Sequence, residues 1–216
     1  MQKLFKAAAV FAATILTAVS LTACSSATST ASEITVVVHD SVSISAELLA
    51  SFKKQTGIEA KLLKAGDTGA MTNKLVLTKD APIGDVVYGI DNTFAGVAVA
   101  NKIIDGELTA IDYGDVCMNF DKTWFATNEQ APPTSIKDLI KPEFDGLTVV
   151  ENPNTSSTGL AFLAATVSVF GEQGWQAYWQ ALKNNNVKIA AGWEDAYYAD
   201  FSGSSGKGDR PIVLSY

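Results

Sequence analysis

The chain has one histidine, two cysteines and six prolines among 216 residues, and its 16 basic side chains are outnumbered by 23 acidic ones. A lone imidazole, His39, excludes a multi-histidine metal centre, and any Ser/His/Asp hydrolase would have to use that one ring as its base. Two cysteines allow no disulfide framework. The shortage of cations argues against nucleic acid as a partner, because phosphate backbones are bound through clustered Lys and Arg. The apolar stretch over residues 7–19 falls short of the roughly 20 residues that cross a bilayer.

What is present is a balance of 47% hydrophobic and 18% charged residues, enough apolar surface to build a core. The N-terminus has the form of an export signal: Lys3 and Lys6 make a positive start, residues 7–19 an apolar middle, and Leu21-Thr22-Ala23-Cys24 a processing site similar to a bacterial lipobox. On that reading residues 1–23 are a lipoprotein signal peptide, Cys24 carries the lipid, and the Ser/Thr/Ala-rich segment 24–32 is a tether. An ordinary cleaved signal with an incidental cysteine is the alternative. All the acids follow Cys24, so the net charge of the remainder moves from -7 to -9 and the surface tolerates cationic ligands. With Cys24 lipidated, Cys117 has no disulfide partner and is expected to be a small buried hydrophobe.

Residues 34–38 are a β-branched run, and Ser45 opens a stretch in which Leu48, Leu49 and Phe52 recur at helical spacing up to Gly57. The same strand-then-helix order repeats at 59–63 with Met71, Leu75 and Val76, and at 85–89 with 93–100. Three such units predict an α/β layer on a largely parallel sheet. Residues 109–120 read as extended chain crossing between two lobes, followed by a short helix through Leu139. Strands at 147–150, 187–190 and 212–215 and helices at 160–170 and 173–182 complete the second part. The predicted organisation is a first lobe over 33–110 and a second over 111–216. Trp175, Tyr178, Trp179 and Leu182 share one helical face and are expected to dock on the sheet. The strand at 212–215 has no helix after it to cover it, which predicts an exposed, aggregation-prone edge.

The candidate chemistry lies where strands end. His39 and Asp40 follow the first strand, Asp67 the second and Asp91 the third, so a parallel sheet would bring them to one rim, where ligands meet open α/β sheets. Each also has a plainer reading, His39 as a solvated loop residue and the aspartates as turn formers. A metal site is disfavoured, since the loops lack the alternating oxygen ligands of a calcium site. The run from Asn154 to Gly159 places Ser156, Ser157 and Thr158 between a strand and a helix, a geometry that suits an oxyanion or plain N-capping. Trp193, with Glu194, Asp195 and Tyr197 beside it, could stack on a flat cationic ring.

Seven runs in order, VHDS at 38–41, KAGD at 64–67, GIDN at 89–92, IDYG at 111–114, PNTSSTG at 153–159, GWEDAY at 192–197 and VLSY at 213–216, together resemble the thiamine-binding proteins of bacterial ABC importers. The resemblance extends from about Ile34 to Tyr216. It implies a two-lobed, periplasmic-binding-protein-like fold of type II, no enzymatic activity and no cofactor. The ligand it implies is thiamine or a thiamine phosphate, delivered to a membrane permease and its ATPase from the periplasm or the outer face of the cell membrane. By motif, Asp67 would meet the aminopyrimidine end and Ser156 the phosphate side, with Trp193 and Tyr216 part of the aromatic wall. His39, where the family usually has Tyr, Asp40 and Asp91 would complete the ligand-binding set. The connection over 93–111 is shorter than the family's, and the family continues beyond the position of Tyr216, so the resemblance implies a C-terminally truncated copy. A receptor of the same fold for ferric ion, a polyamine or an oxyanion is the second reading, and a hydrolase with Ser156 or Ser215 as nucleophile the third.

Overall fold

The computed structural model describes residues 32–203 and 207–216, so the signal, Cys24 and most of the tether lie outside the described residues. Strand β1 (Glu33–Val38) leads to helix α1 (Ala46–Thr56), β2 (Glu59–Lys64) to α2 (Thr68–Leu77), and β3 (Val86–Tyr88) to α3 (Ala95–Ala100). β1 pairs in parallel with β2 on one side and β3 on the other, giving the order β2-β1-β3. The three strand-then-helix units expected from the sequence are therefore present, and Ser45 caps α1 by accepting from Leu48 N–H at 3.2 Å.

The second sheet has the order β4-β7-β5-β6, built from β4 (Cys117–Phe120), β5 (Thr148–Glu151), β6 (Lys188–Ala190) and β7 (Ile212–Ser215). β5 is parallel to both β6 and β7, while β4 runs antiparallel to β7. Two features had no signal in the sequence reading: helix α4 (Lys122–Thr127), capped by Asp121, and a π-helical turn at Asp195–Asp200. Helix α5 (Ser157–Asn184) covers both helices expected at 160–170 and 173–182, and Gly171 with φ 70° and ψ 173° breaks it between them.

Three expectations are corrected. β7 is an interior strand with all four residues buried, because β4 and β5 flank it and α5 and the 195–200 turn lie against it. The exposed edge predicted for 212–215 does not exist; the edges of this sheet are β4 and β6. Cys117 is exposed rather than buried, as the first residue of edge strand β4. Trp175 and Trp179 are only partly buried and line, with Pro153, Asn154 and Leu163, an open depression of ≈ 280 Å³; Tyr178 and Leu182 alone of that face are fully in the core.

Strand periodicity of two divides the second sheet's core cleanly. Ile212 and Leu214 face α5 together with Val150, Phe162, Tyr178 and Leu182, while Val213 and Val149 face the other way, toward Ala190, Ala196 and Phe201. Ser215 and Glu151 follow Val213 and Val149 at the next alternate positions, so both polar side chains fall on the face occupied by the 192–201 segment. The first sheet has a smaller core of Val37, Ala65 and Met71.

Candidate functional site

The parallel pairing of β1, β2 and β3 brings their C-terminal ends to one rim, and with them His39, Asp67 and Asp91. Asp67 is the hub. It caps α2, its Oδ1 accepting from Thr68 N–H at 2.6 Å and from His39 Nε2–H at 3.0 Å. Its Oδ2 accepts from the backbone N–H of Trp193 at 2.9 Å, 126 residues further along the chain. Glycine at 192 eases this approach: a Cβ there would sit 3.2 Å from Asp67 Cβ and 3.3 Å from its Oδ2, tighter than ordinary contact. One carboxylate thus ties the rim of the first sheet to the loop that follows β6.

Backbone donors settle the His39 tautomer. The Ser41 N–H donates to His39 Nδ1 at 3.0 Å, so Nδ1 is an acceptor and Nε2 carries the proton given to Asp67. The histidine read as a possible solvated loop residue is largely buried, its side chain 15% exposed. Burial pushes the Asp67 carboxyl up, but hydrogen bonds from His39, the Ser156 hydroxyl and Trp193 N–H outweigh it and hold the group below the ordinary carboxylate value. Asp67 is therefore an ionised carboxylate only 8% exposed.

Around it lies a cavity of ≈ 100 Å³ lined by His39, Asp40, Asp67, Gly192, Trp193, Glu194 and Asp195. Four of its seven lining residues are acids, so it presents negative charge to whatever enters. The Trp193 indole donates from Nε1 to Ser215 Oγ at 2.9 Å, and Tyr197 stacks on it with centroids 4.9 Å apart and planes 13° from parallel. Tyr198 meets the same indole edge-on at 5.3 Å. One face of Trp193 is thus occupied by Tyr197, whose position one helical turn on is set by the turn at 195–200.

The other candidates are placed as follows. Asp40 lines the cavity and accepts from Gly66 N–H at 2.7 Å. Asp91 does not line it; its Oδ1 accepts from Thr93 N–H, Thr93 Oγ1–H and Phe94 N–H, the bonding of a turn former. Tyr216, beyond the end of β7, is 57% exposed as a residue, yet its phenol is pushed up to about 12, by loss of solvent first and then by the charges of Asp91, Asp67, Glu151 and Asp112. It is not among the residues lining the cavity, and its ring lies beside Gly114. Ser156 is fully buried, its Oγ 2.9 Å from Thr158 Oγ1.

Sequence reasoning missed Glu151, the last residue of β5. It is fully buried, with Oε2 bonded to Thr158 Oγ1 at 2.8 Å and Oε1 without a partner. Burial pushes its carboxyl up to about 8 despite the bond from Thr158, and the charge on Asp67 adds to the rise. The signal available was an acid closing a β-branched run, Thr148-Val149-Val150-Glu151, where alternation points it inward. Among the described residues no group of His, Cys, Asp and Glu is arranged to hold a metal ion.

Residues 87–213, more than half of the chain, match the family model of the bacterial extracellular solute-binding proteins. The chain belongs to that family. Among its relatives are the thiamine-binding periplasmic proteins of Salmonella typhimurium, 29% identical over 183 residues, and of Escherichia coli, 28% identical over 179. Each alignment covers 77% of this chain and 53% of the relative, so the chain spans about half the length of the curated relatives it matches. A solved periplasmic thiamin binding protein superposes with a TM-score of 0.68 at 25% identity, covering 85% of this chain and 61% of its own. Iron-bound HitA from Pseudomonas aeruginosa superposes with a TM-score of 0.61 at 17% identity, a likeness of fold. The α/β architecture is that of the type II periplasmic binding proteins.

Proposed function

We propose that this solute-binding protein captures thiamine or a thiamine phosphate outside the cytoplasm and hands it to an ABC importer's permease, without catalysing a reaction. The observation that carries the reading is the buried, ionised Asp67 held against Trp193 in an acidic cavity, in a chain whose relatives are thiamine-binding proteins. Asp67 offers a fixed carboxylate to an aminopyrimidine. The free face of Trp193, with Glu194 and Asp195 at its side, suits a flat cationic ring, an attraction worth about 0.5–2 kcal/mol. Asp40 adds negative charge within the cavity, while Tyr216 and Asp91, outside its lining, would come to the ligand only as the walls move.

The cavity of ≈ 100 Å³ is smaller than the roughly 300 Å³ at the low end of small-molecule pockets. A two-ring ligand therefore requires the 39–41 and 192–195 walls to part, and the two sheets, in lobes 33–110 and 111–216, are the bodies that would move. Ser156 supports Asp67 from behind and lies next to the start of α5, the side assigned to a phosphate. Export and attachment through lipid on Cys24 belong to the same reading.

Isothermal titration of the purified chain with thiamine, thiamine monophosphate, ferric citrate and spermidine, with tryptophan fluorescence in parallel, tests it. Saturable binding of thiamine that quenches fluorescence is expected, with Trp193→Ala losing the quench. Tighter binding of ferric citrate or spermidine would replace the reading with the same fold serving another solute.

A further inference from the structure

His39 spends both of its ring nitrogens inside the protein. Nε2–H donates to Asp67 Oδ1 at 3.0 Å, while Nδ1 accepts from the Ser41 backbone N–H at 3.0 Å and lies 2.8 Å from Ser41 Oγ. The ring lines the cavity, yet it offers a ligand neither a donor nor a free acceptor. Its two contacts on Nδ1 differ in kind. A hydroxyl can turn and present a lone pair, but a backbone N–H can only donate. The Ser41 peptide is also held on both sides, by Asp40 N–H on Gly66 C=O at 3.1 Å, Gly66 N–H on Asp40 Oδ1 at 2.7 Å and Val42 N–H on His39 C=O at 3.0 Å. We propose that His39 is a positioning residue for Asp67 that works only while its ring is neutral, so that the cavity holds a cationic solute at neutral pH and gives it up in acid.

A proton on Nδ1 would face the Ser41 N–H donor to donor across 3.0 Å. The charged ring must give up that contact, and the turn over residues 39–42 loses one of the bonds that close it. The other end of the ring keeps its place, with Nε2–H on Asp67 Oδ1 as half of an ion pair. Asp67 then attracts a cation less, because a positive charge stands at hydrogen-bond distance from it where the two side chains are only 15% and 7% exposed. The other charged groups facing His39 are mostly acids. Asp67 comes from the start of α2 and Asp40 from the same turn, and Glu194 and Asp195 line the cavity from the segment after β6. Lys64 of β2 donates to the Asp40 carbonyl. The end of β3 packs on His39 through Gly89, where a Cβ would lie 3.2 Å from that of His39, and Asp91 beyond it spends its carboxylate on its own turn. Imidazole is the type of side chain that ordinarily changes charge between pH 5 and 8.

This role rests on the proposed cation-binding site, but half of it can be read with no ligand, because His39 is the chain's sole histidine and its ring resonances are unique. In nitrogen-15 NMR spectra at pH 8 the ring should show the neutral tautomer protonated on Nε2. As the pH falls to 5 the ring should take up a proton, and the Ser41 backbone amide should shift with the same midpoint. A ring protonated on Nδ1 at pH 8, a ring that stays neutral down to pH 5, or a Ser41 amide that does not follow the ring overturns the proposal. Calorimetric titration with thiamine across the same pH range reads the other half. The affinity of the native chain should fall by about tenfold or more from pH 8 to pH 5. His39→Gln, which keeps a neutral donor toward Asp67, should bind at pH 8 within about threefold of the native chain and vary with pH only as the ligand and the remaining acids do. His39→Lys, charged throughout, should bind weakly at every pH. Parallel pH profiles of the native chain and His39→Gln, or a folded His39→Gln that no longer binds at pH 8, overturn the proposal whether or not the lysine variant folds. If neither the native chain nor His39→Gln binds thiamine at pH 8 while the ring and the Ser41 amide titrate together, thiamine is the wrong ligand and the acid response of the turn stands.

Discussion

The two sheets are stabilised very differently. The second buries Phe125, Leu139, Phe144, Val149, Val150, Phe162, Tyr178, Leu182 and the whole of β7, whereas helix α1 on the first sheet has no buried residue and the core there is Val37, Ala65 and Met71 with their partly buried neighbours. Yet the thinner region contributes the group on which the cavity turns. Asp67 is held by one donor from its own helix, one from His39 and one from across the molecule, so this carboxylate is buried by contact with the segment that follows β6 rather than by its own core. A cavity assembled in this way is sensitive to changes at the junction and insensitive to changes on the outside of the weaker layer.

The largest effect expected from breaking that comparison is at the junction. Asp67→Ala removes the acceptor of three donors and should abolish measurable thiamine binding in titration calorimetry, a loss of about a hundredfold or more by analogy with cutting one partner from a buried charged network. Within the stronger core, Leu182→Ala should lower unfolding free energy in a urea melt by about 2–5 kcal/mol. Trp193→Ala should weaken thiamine by roughly threefold to thirtyfold, the range of a lost cation–π contact, and should free Ser215 Oγ. The smallest effect belongs to the outside of the weaker layer: Leu48→Ala, at a residue 61% exposed, should change stability by less than about 0.5 kcal/mol.

Acid and base sharpen the same contrast. Asp67 has its folded value held below 3.8, so its contribution to stability is present above that value and is lost as the pH falls through the still lower folded one. Glu151 has the opposite sign. Raised from 4.5 to about 8, it favours the folded state fully below pH 4.5 and loses that contribution as the pH rises through about 8. Urea melts across pH 5–9 should therefore show a decline toward alkali that Glu151→Gln flattens; an unchanged decline would place its origin elsewhere.

Much of the fold was legible because strand and helix periods are local. β1, β2, β7 and the cap of α1 fall within a residue or so of where the pattern of β-branched residues and Ser45 puts them, and the strand ends bearing His39, Asp67 and Asp91 follow from parallel pairing. Local patterns could not give strand order in the second sheet. β7 follows β4, β5 and β6 in sequence but is second in the sheet, a neighbour of both β4 and β5, which turns an expected edge into an interior strand and leaves β4, with Cys117 exposed at its start, on the edge.

The sequence by itself determined the export-like start, the succession of strand and helix units, the solute-binding family through its ordered loop runs, and the residue types available for a cationic ligand. Only the tertiary structure decided that Asp67 meets Trp193 across 126 residues, that Asp91 spends its carboxylate on its own turn, and that Glu151 sits sealed behind Ser156. The physical reason is that burial and hydrogen-bond partnership are properties of places rather than residues: identical aspartates at the ends of the two strands flanking β1 differ in chemistry because one of them is enclosed by the segment that follows β6.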